Sequence, residues 1–375
     1  MTDAPFMAAH ASGAEWRDAA GQIIVALQPV TAAHRLGFVY VTDHYADDLA
    51  DIAVFLRQTT GVPHWVGTAG FGVCGAGKEY FGEPAMAVML APIPEDAFRV
   101  FAGVSDSLQP FMQEHGDWIE RPVLPLTVVH GDPRNARLPE LIEAMSETTN
   151  GFLVGGLTAA NNSFPQLADS VEDGGLSGVM LSLEAVPVQS GLTQGCSPIG
   201  AVHEITEAQD NVIVALSDRP ALDVFKEDIG EVLARDLRRV AGYIFAAIPV
   251  SGSDTGDYMV RNLVGIDPEA GAIAIGEQVA AGDRVMFCRR DHDSAVEDMR
   301  RMLGDLRKRV GNAPIRGGLY FSCCARGPNQ FGPDDAELRL VSEELGAFPL
   351  VGFFANGEIS NNRLYGYTGV LTLFL

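Results

Sequence analysis

The chain has 375 residues, 47% of them apolar, and its 49 acidic against 26 basic residues give a formal net charge of −23. Such a length suggests two or three domains with ample chain to bury a core, and such an apolar fraction excludes a disordered polymer. The acidity argues against a nucleic-acid backbone or an anionic membrane surface as partner.

Residues 1–20 read as an N-terminal tail; the first 18 hold three acids, one Arg and no long apolar core, so no secretory signal is expected. The run 36–42 predicts a strand. Residues 47–58 predict a helix with Leu49, Ile52, Ala53 and Leu56 on one face and Gly61 as a left-handed cap. A strand at 64–70, a Gly-rich loop and a strand at 86–90 follow. The same order recurs twice. It runs 124–129, 138–145, 152–155 and 178–183, with Pro139 in the first helical turn, and then 317–322, 334–345, 350–352 and 369–374. In that last helix Pro333 is expected in the first turn, with Asp334 and Asp335 opposing the positive end of the dipole. Each copy is strand, helix, strand ending in Val-Gly (66–67, 154–155, 351–352), loop, strand, and each spans one βαβ unit.

Between the second and third copies the pattern changes. Short strands and turns are expected over 184–217, a helix over 221–239, strands at 243–250, 258–264 and 272–276 with a turn containing Gly252, a strand at 282–287, and a helix opened by the capping box Ser294-Ala-Val-Glu297. Residues 1–217 carry 8 basic and 26 acidic side chains, with no Lys or Arg between Arg137 and Arg219. The shift after 217 suggests a boundary, giving portions 21–217 and 218–375. The fold class is α/β with mixed sheets, built of repeated strand-helix-strand-strand units in two packed portions. The longest apolar stretch, 241–250, is half of the ~20 residues a crossing needs, so no membrane is expected. Five scattered cysteines fit a reduced cytoplasmic chain.

Several motifs are weighed and set aside. Gly70-Phe-Gly72-Val-Cys-Gly75 matches G-x-G-x-x-G, but no helical period follows to present amides to a pyrophosphate. Gly72 to Lys78 matches most of a phosphate loop, yet Glu79 stands where Ser or Thr would hold magnesium. A plain turn is the simpler reading of both. No two of the eight histidines have metal-ligand spacing, so no metal and no cofactor are expected. Each Cys reads first as a small buried hydrophobe; a thiol beside Arg326 would have a lowered pKa.

Three polar loop clusters remain: 195–200, 322–327 and 356–362. Arg326 and Glu358 fall just past strand ends, where ligands bind α/β sheets. An Arg fork holds a carboxylate and a Glu accepts from an ammonium, so together they suit an amino-acid-like zwitterion. The simpler alternative is that the two pair only with each other.

At these clusters the chain resembles the FIST proteins, named for F-box and intracellular signal transduction. The carrying segments are Gln194-Gly-Cys-Ser-Pro-Ile-Gly200, Ile205-Thr-Glu-Ala-Gln-Asp-Asn211, Pro220-Ala-Leu222, Gly282-Asp-Arg-Val-Met-Phe-Cys-Arg-Arg-Asp291, Ser322-Cys-Cys-Ala-Arg-Gly327 and Val351-Gly-Phe-Phe-Ala-Asn-Gly-Glu-Ile359. The resemblance covers residue 36 to the end. It implies a cytoplasmic ligand-sensing module for small molecules such as amino acids, without established catalysis, that signals through a separate protein. The Gly70–Gly77 loop departs from the family's more usual polar pattern. The expected ligand-binding residues are Arg326 and Glu358 as anchors, with Cys323, Asn356, Cys196, Ser197, Thr158 and Gly352 as secondary contacts, in a cleft between the two portions. No residue is assigned a catalytic role. The alternative is a thiol-dependent hydrolase or transferase using the same cleft.

Overall fold

Residues 4–122, 124–250 and 257–375 are described in a computed structural model of the chain. The first repeat runs β1 (Met7–Ser12), α1 (Trp16–Ala26), β2 (Leu36–Thr42), α2 (Leu49–Thr60), β3 (His64–Gly70), β4 (Gly72–Gly75), β5 (Lys78–Phe81) and β6 (Ala85–Ala91). The second runs β7 (Phe98–Val104), α3 (Gln109–Ile119), β8 (Pro125–Gly131), α4 (Leu138–Thr149), β9 (Phe152–Leu157), β10 (Gln166–Ala168), β11 (Ser170–Glu172) and β12 (Leu176–Ser182).

The third repeat opens with β13 (Val188–Gln194) and then departs into an insertion. This holds β14 (Ser197–Gln209), β15 (Val212–Leu216), β16 (Arg219–Pro220), α5 (Ala221–Ala234), β17 (Ile244–Pro249), β18 (Tyr258–Asp267), β19 (Ala272–Ile275) and β20 (Arg284–Arg289). The repeat resumes with α6 (His292–Val310), β21 (Gly317–Cys323), α7 (Ala336–Leu345), β22 (Leu350–Ala355), β23 (Glu358–Ser360), β24 (Arg363–Tyr365) and β25 (Thr368–Phe374).

The chain forms two compact units. Unit 1 is residues 1–193 with 299–375, and unit 2 is Gln194–Asp298. These units do not follow the linear division at 218, which falls inside unit 2. The assignment of 1–20 as a tail is also corrected: β1 pairs with β6 over Met7–Ser12, and α1 buries Trp16, Ala19, Ala20 and Ile23.

In unit 1 each repeat contributes a parallel pair joined by a helix, with an antiparallel strand beside its first member. These are β2 and β3 with β6, β8 and β9 with β12, and β21 and β22 with β25. The loops predicted after each Val-Gly are hairpins, and each hairpin leaves its own sheet. Hairpin β10–β11 pairs with β3, hairpin β23–β24 pairs with β9, and hairpin β4–β5 pairs with β22. The exchange is cyclic, so each six-stranded sheet is completed by a neighbouring repeat.

The Val-Gly repeat has a physical reason in this register. Gly67, Gly155 and Gly352 lie opposite Val39, Val129 and Tyr320, and a Cβ at any of them would overlap the carbonyl oxygen of that partner. The sheets' inner faces share one core, with Phe38 and Tyr40, Val128 and Val154, and Phe321 and Phe353. Helices α1 and α2 cover the outside of the first sheet, and α3 and α4 that of the second. The opening strands are apolar throughout because both faces are covered.

In unit 2 the strand order β14-β20-β17-β18-β19-β15-β16, with β14 also paired to β15, closes a barrel. Its core includes Ile205, Ile213, Ile273 and Phe287, and α5 sets Phe225 against Phe287 at 4.7 Å between ring centroids. Helix α5 is shorter than the helix expected over 221–239, and Gly230, at φ 78°, breaks its regularity. The turn predicted at Gly252 lies outside the described residues.

Two helix starts differ from expectation. Helix α6 begins at His292, not Ser294, because the Asp291 carboxylate accepts from the Ser294 amide at 2.9 Å and so caps it first. Helix α7 begins at Ala336. Pro333 therefore lies outside it, and Asp334 and Asp335 precede it in the left-handed conformation at φ 64° and 56°.

Candidate functional site

Equivalent positions of the three repeats converge inside unit 1. The residues that follow Val39, Val129 and Tyr320 are Tyr40, His130 and Phe321. Their rings meet pairwise, with centroids 5.5, 6.0 and 6.4 Å apart. Tyr40 Oη lies 3.2 Å from His130 Nε2, while His130 Nδ1 is buried with no partner among the described residues. Burial alone pushes the imidazole down to about 3, so it is neutral.

Two residues further on stand Thr42, Asp132 and Cys323. Thr42 Oγ1 accepts from the Ala85 amide at 2.9 Å and Asp132 from the Gly174 amide at 2.8 Å. The Cys323 sulfur receives the Tyr367 and Ala325 amides. All three side chains thus hold the segment leading into the antiparallel strand of their own repeat. Contrary to the expectation of a lowered pKa, the Cys324 thiol and burial push the Cys323 thiol well up. Burial likewise pushes Cys74 up, and a contact with Cys196 pushes Cys288 up.

Arg326, fully buried, follows β21. Its Nε donates to Glu337 Oε1 at 2.8 Å and to Ser322 Oγ at 3.2 Å, and its guanidinium lies 4.8 Å from the Phe331 ring centroid. Glu337, on the buried face of α7, also accepts from Tyr320 Oη at 2.6 Å and from the Gly327 amide at 2.8 Å. The expected alternative pairing with Glu358 is therefore corrected: the ion-pair partner of Arg326 is Glu337. One donor, Nη1, is buried and without a partner among the described residues.

Glu358 opens β23, also fully buried. Its Oε2 accepts from the Thr368 amide at 3.1 Å and Thr368 Oγ1 at 2.8 Å. Its Oε1 is buried with no partner among the described residues. Burial pushes this carboxyl well above the usual carboxylate range; Cys323 adds to the rise, and the positive charge of Arg326 works against it.

Of the other expected contacts, Thr158 is buried, 2.7 Å from Thr68 Oγ1 and accepting from Gln166 Nε2 at 3.0 Å. Gly352 is fixed by its register against Tyr320, and Asn356 is exposed in the bend between β22 and β23. Cys196 and Ser197 belong to unit 2. The Cys196 carbonyl accepts from Tyr258 Oη, and Ser197 Oγ donates to Asp291 Oδ2 at 3.1 Å. Sequence reasoning missed Glu337. Its signal was a carboxylate three and four residues before Leu340 and Val341, on the apolar stripe of α7.

The FIST N domain family matches residues 35–219 and the FIST C domain family residues 221–361. An uncharacterised protein of Mycobacterium tuberculosis is 31% identical over 351 residues, 88% of each chain. An uncharacterised protein of Mycobacterium bovis is 30% identical over 350 residues, again 88% of each. No helix among the described residues is long and apolar enough to cross a membrane.

Proposed function

The chain belongs to the FIST family, whose domains are sensory domains of signal transduction, and we propose that it binds a small zwitterionic metabolite, an amino acid or a close relative, at Arg326 and Glu358. The reading rests on one observation: a guanidinium nitrogen and a carboxyl oxygen, Arg326 Nη1 and Glu358 Oε1, are both buried and unpartnered among the described residues. Leaving buried polar groups of this kind unpaired costs about 1–3 kcal/mol each, more when charged. A ligand carboxylate on Nη1 and an ammonium on Oε1 would remove both costs. The ammonium would also draw the raised Glu358 carboxyl back to its ionised form. Thr158 and Cys323 are proposed as flanking groups and Asn356 as a contact at the exposed bend. The occupied state would be passed to a separate signalling protein.

Burial pushes the Cys74 thiol up, and the Cys196 and Cys324 thiols, with burial, push Cys288 and Cys323 up. This runs against the thiolate that a hydrolase or transferase would need.

A thermal-shift screen of amino acids and related metabolites tests the reading. A ligand at a hundred times its dissociation constant adds ~2.7 kcal/mol of stability. Glu358→Gln keeps the size of its side chain and Arg326→Lys keeps the charge but not the guanidinium fork; both are expected to abolish the shift. A ligand that stabilises both variants as well as the parent would overturn the anchor assignment, and no shift with any amino acid would overturn the ligand class.

A further inference from the structure

The Gly-rich run 70–77, set aside as a nucleotide site, supplies β4 and the turn of hairpin β4–β5, which packs beside Gly327, the residue after Arg326. The hairpin belongs to the first repeat but lies at the edge of the third sheet, pairing Gly72–Gly75 with Val351–Phe354. Phe81 rests on Phe354 with ring centroids 4.2 Å apart, and a Cβ on Gly327 would meet the Phe81 ring. Gly327 is the residue after Arg326 and donates to Glu337.

The outer strand β5 is tied to the start of α7. The Glu79 amide donates to Asp335 Oδ1 at 2.8 Å, and Glu79 Oε1 accepts from the Leu338 amide at 3.0 Å. Lys78 Nζ lies 3.2 Å from Asp335 Oδ1. One helical turn therefore holds both the hairpin and the counterion of Arg326. Arg326 has no exposed surface, so a solute reaches it only when a covering element moves. The hairpin is the neighbour of this site that comes from another repeat; it is held by strand pairing to β22, by the ties to α7, and by Val73 and Tyr80 in the shared core.

We propose that hairpin β4–β5 is the lid of the Arg326 site and that the protonation of Glu79 sets how often it opens. This rests on the placement of the ligand at Arg326 and Glu358. The groups facing Glu79 are Glu337 and Asp335 from the α7 side, with Arg326 behind Glu337, Lys78 beside it, and Cys74 across the hairpin. His10 on β1 donates to or accepts from Tyr80 Oη at 2.8 Å.

Burial, then the Glu337 charge, push Glu79 up to about 7 in the closed lid. In an open lid Glu79 meets water and returns toward 4.5. The closed form thus holds the proton more tightly. Opening is at its minimum below about pH 4.5. As pH rises, the open form ionises first and opening grows by up to tenfold per unit until about pH 7. The full range is on the order of a hundredfold.

Cys74, fully buried on β4 between Glu79 and Gly352, reads out this opening. The full chain is alkylated with N-ethylmaleimide from pH 5 to 8, and Cys74 labelling is followed by peptide mass spectrometry and divided by the rate of free cysteine at each pH. The normalised rate is expected to rise on the order of a hundredfold in the parent and to stay nearly flat in Glu79→Gln. Cys288, buried in the barrel, should stay unlabelled. Asp335→Asn, which loosens the same tie from the helix side, should raise Cys74 labelling at every pH. A flat Cys74 rate in the parent overturns the lid, as does Cys74 labelling that rises only together with Cys288. An equal rise in parent and Glu79→Gln, or no effect of Asp335→Asn, overturns the latch. None of these outcomes involves a ligand, so the Arg326–Glu358 reading stands or falls separately in the thermal-shift screen.

Discussion

Replacing Glu337 by Gln removes one negative charge while keeping the shape of the side chain. In the native structure Glu337 accepts from Arg326 Nε, Tyr320 Oη, Ser322 Oγ and the Gly327 amide, and both members of the ion pair have no exposed surface. Gln can still accept, so most of those hydrogen bonds weaken without vanishing. What is lost is the only ion-pair partner, among the described residues, of a guanidinium with no exposed surface. Breaking a buried pair from one side costs about 3–5 kcal/mol. Arg326→Met should cost a similar amount, because it leaves the Glu337 charge buried instead. In the double variant neither charge is present, so its cost should fall short of the sum by at least about 2 kcal/mol.

The assay is urea unfolding followed by tryptophan emission. All three tryptophans, Trp16, Trp65 and Trp118, lie in unit 1 with the pair, so the signal reports that unit and not the barrel. A cost below about 1 kcal/mol for Glu337→Gln, or strict additivity in the double variant, would refute the reasoning, since surface pairs behave in that way.

Three further outcomes are expected. Gly352→Ala places a Cβ on the Tyr320 carbonyl oxygen, which is held by sheet pairing and cannot yield; a loss of about 2–3 kcal/mol or more is expected by urea unfolding, and a neutral effect would contradict the register. Removing residues 371–375 deletes most of β25, which pairs with β21 and buries Leu371, Leu373 and Phe374; the melting temperature of unit 1 should fall sharply, and an unchanged value would count against the central place of β25. His130 has a depressed native pKa, so its contribution is present above about pH 6.5 and is lost as pH falls toward 3. In His130→Phe, which mimics Phe321, the parent-minus-variant stability should decline by up to about 1.4 kcal/mol per pH unit below 6.5; equal pH profiles would show that His130 does not titrate on unfolding.

Much of unit 1 is legible in the sequence. The strands buried on both faces appear as unbroken apolar runs, and the helices between them show their stripes. The hairpin strands are not legible. β4, β10 and β23 are only three or four residues long, too short for a period, and each finds its partner in another repeat. β1 was missed because Met-Ala-Ala-His-Ala-Ser carries little strand propensity; it is a strand because β6 offers it an edge. The polar site shows the same division. Arg326 and Glu358 could be chosen because they stand at strand ends. Glu337 could not, since its tie to Arg326 appears only once α7 packs beside the end of β21.

Three of the 41 glycines, those of the Val-Gly pairs, belong to this same exchange. At Gly67, Gly155 and Gly352 the absent Cβ lets the second parallel strand approach the first. These are also the register positions that hairpins β10–β11, β23–β24 and β4–β5 flank, with Leu167, Ile359 and Cys74 as their direct partners. Each glycine therefore sits where a repeat receives a hairpin from its neighbour. A repeat taken alone has an unpaired strand edge and a hairpin with no sheet, and such an edge is an aggregation liability. Three repeats close the ring and leave no hairpin unplaced. The same closure joins distant parts of the chain. Hairpin β4–β5 is paired with β22 and bonded at Glu79 to the turn of α7 that carries Glu337. The hairpin, with Val73 and Tyr80 in the shared core, thus links the first repeat to the third.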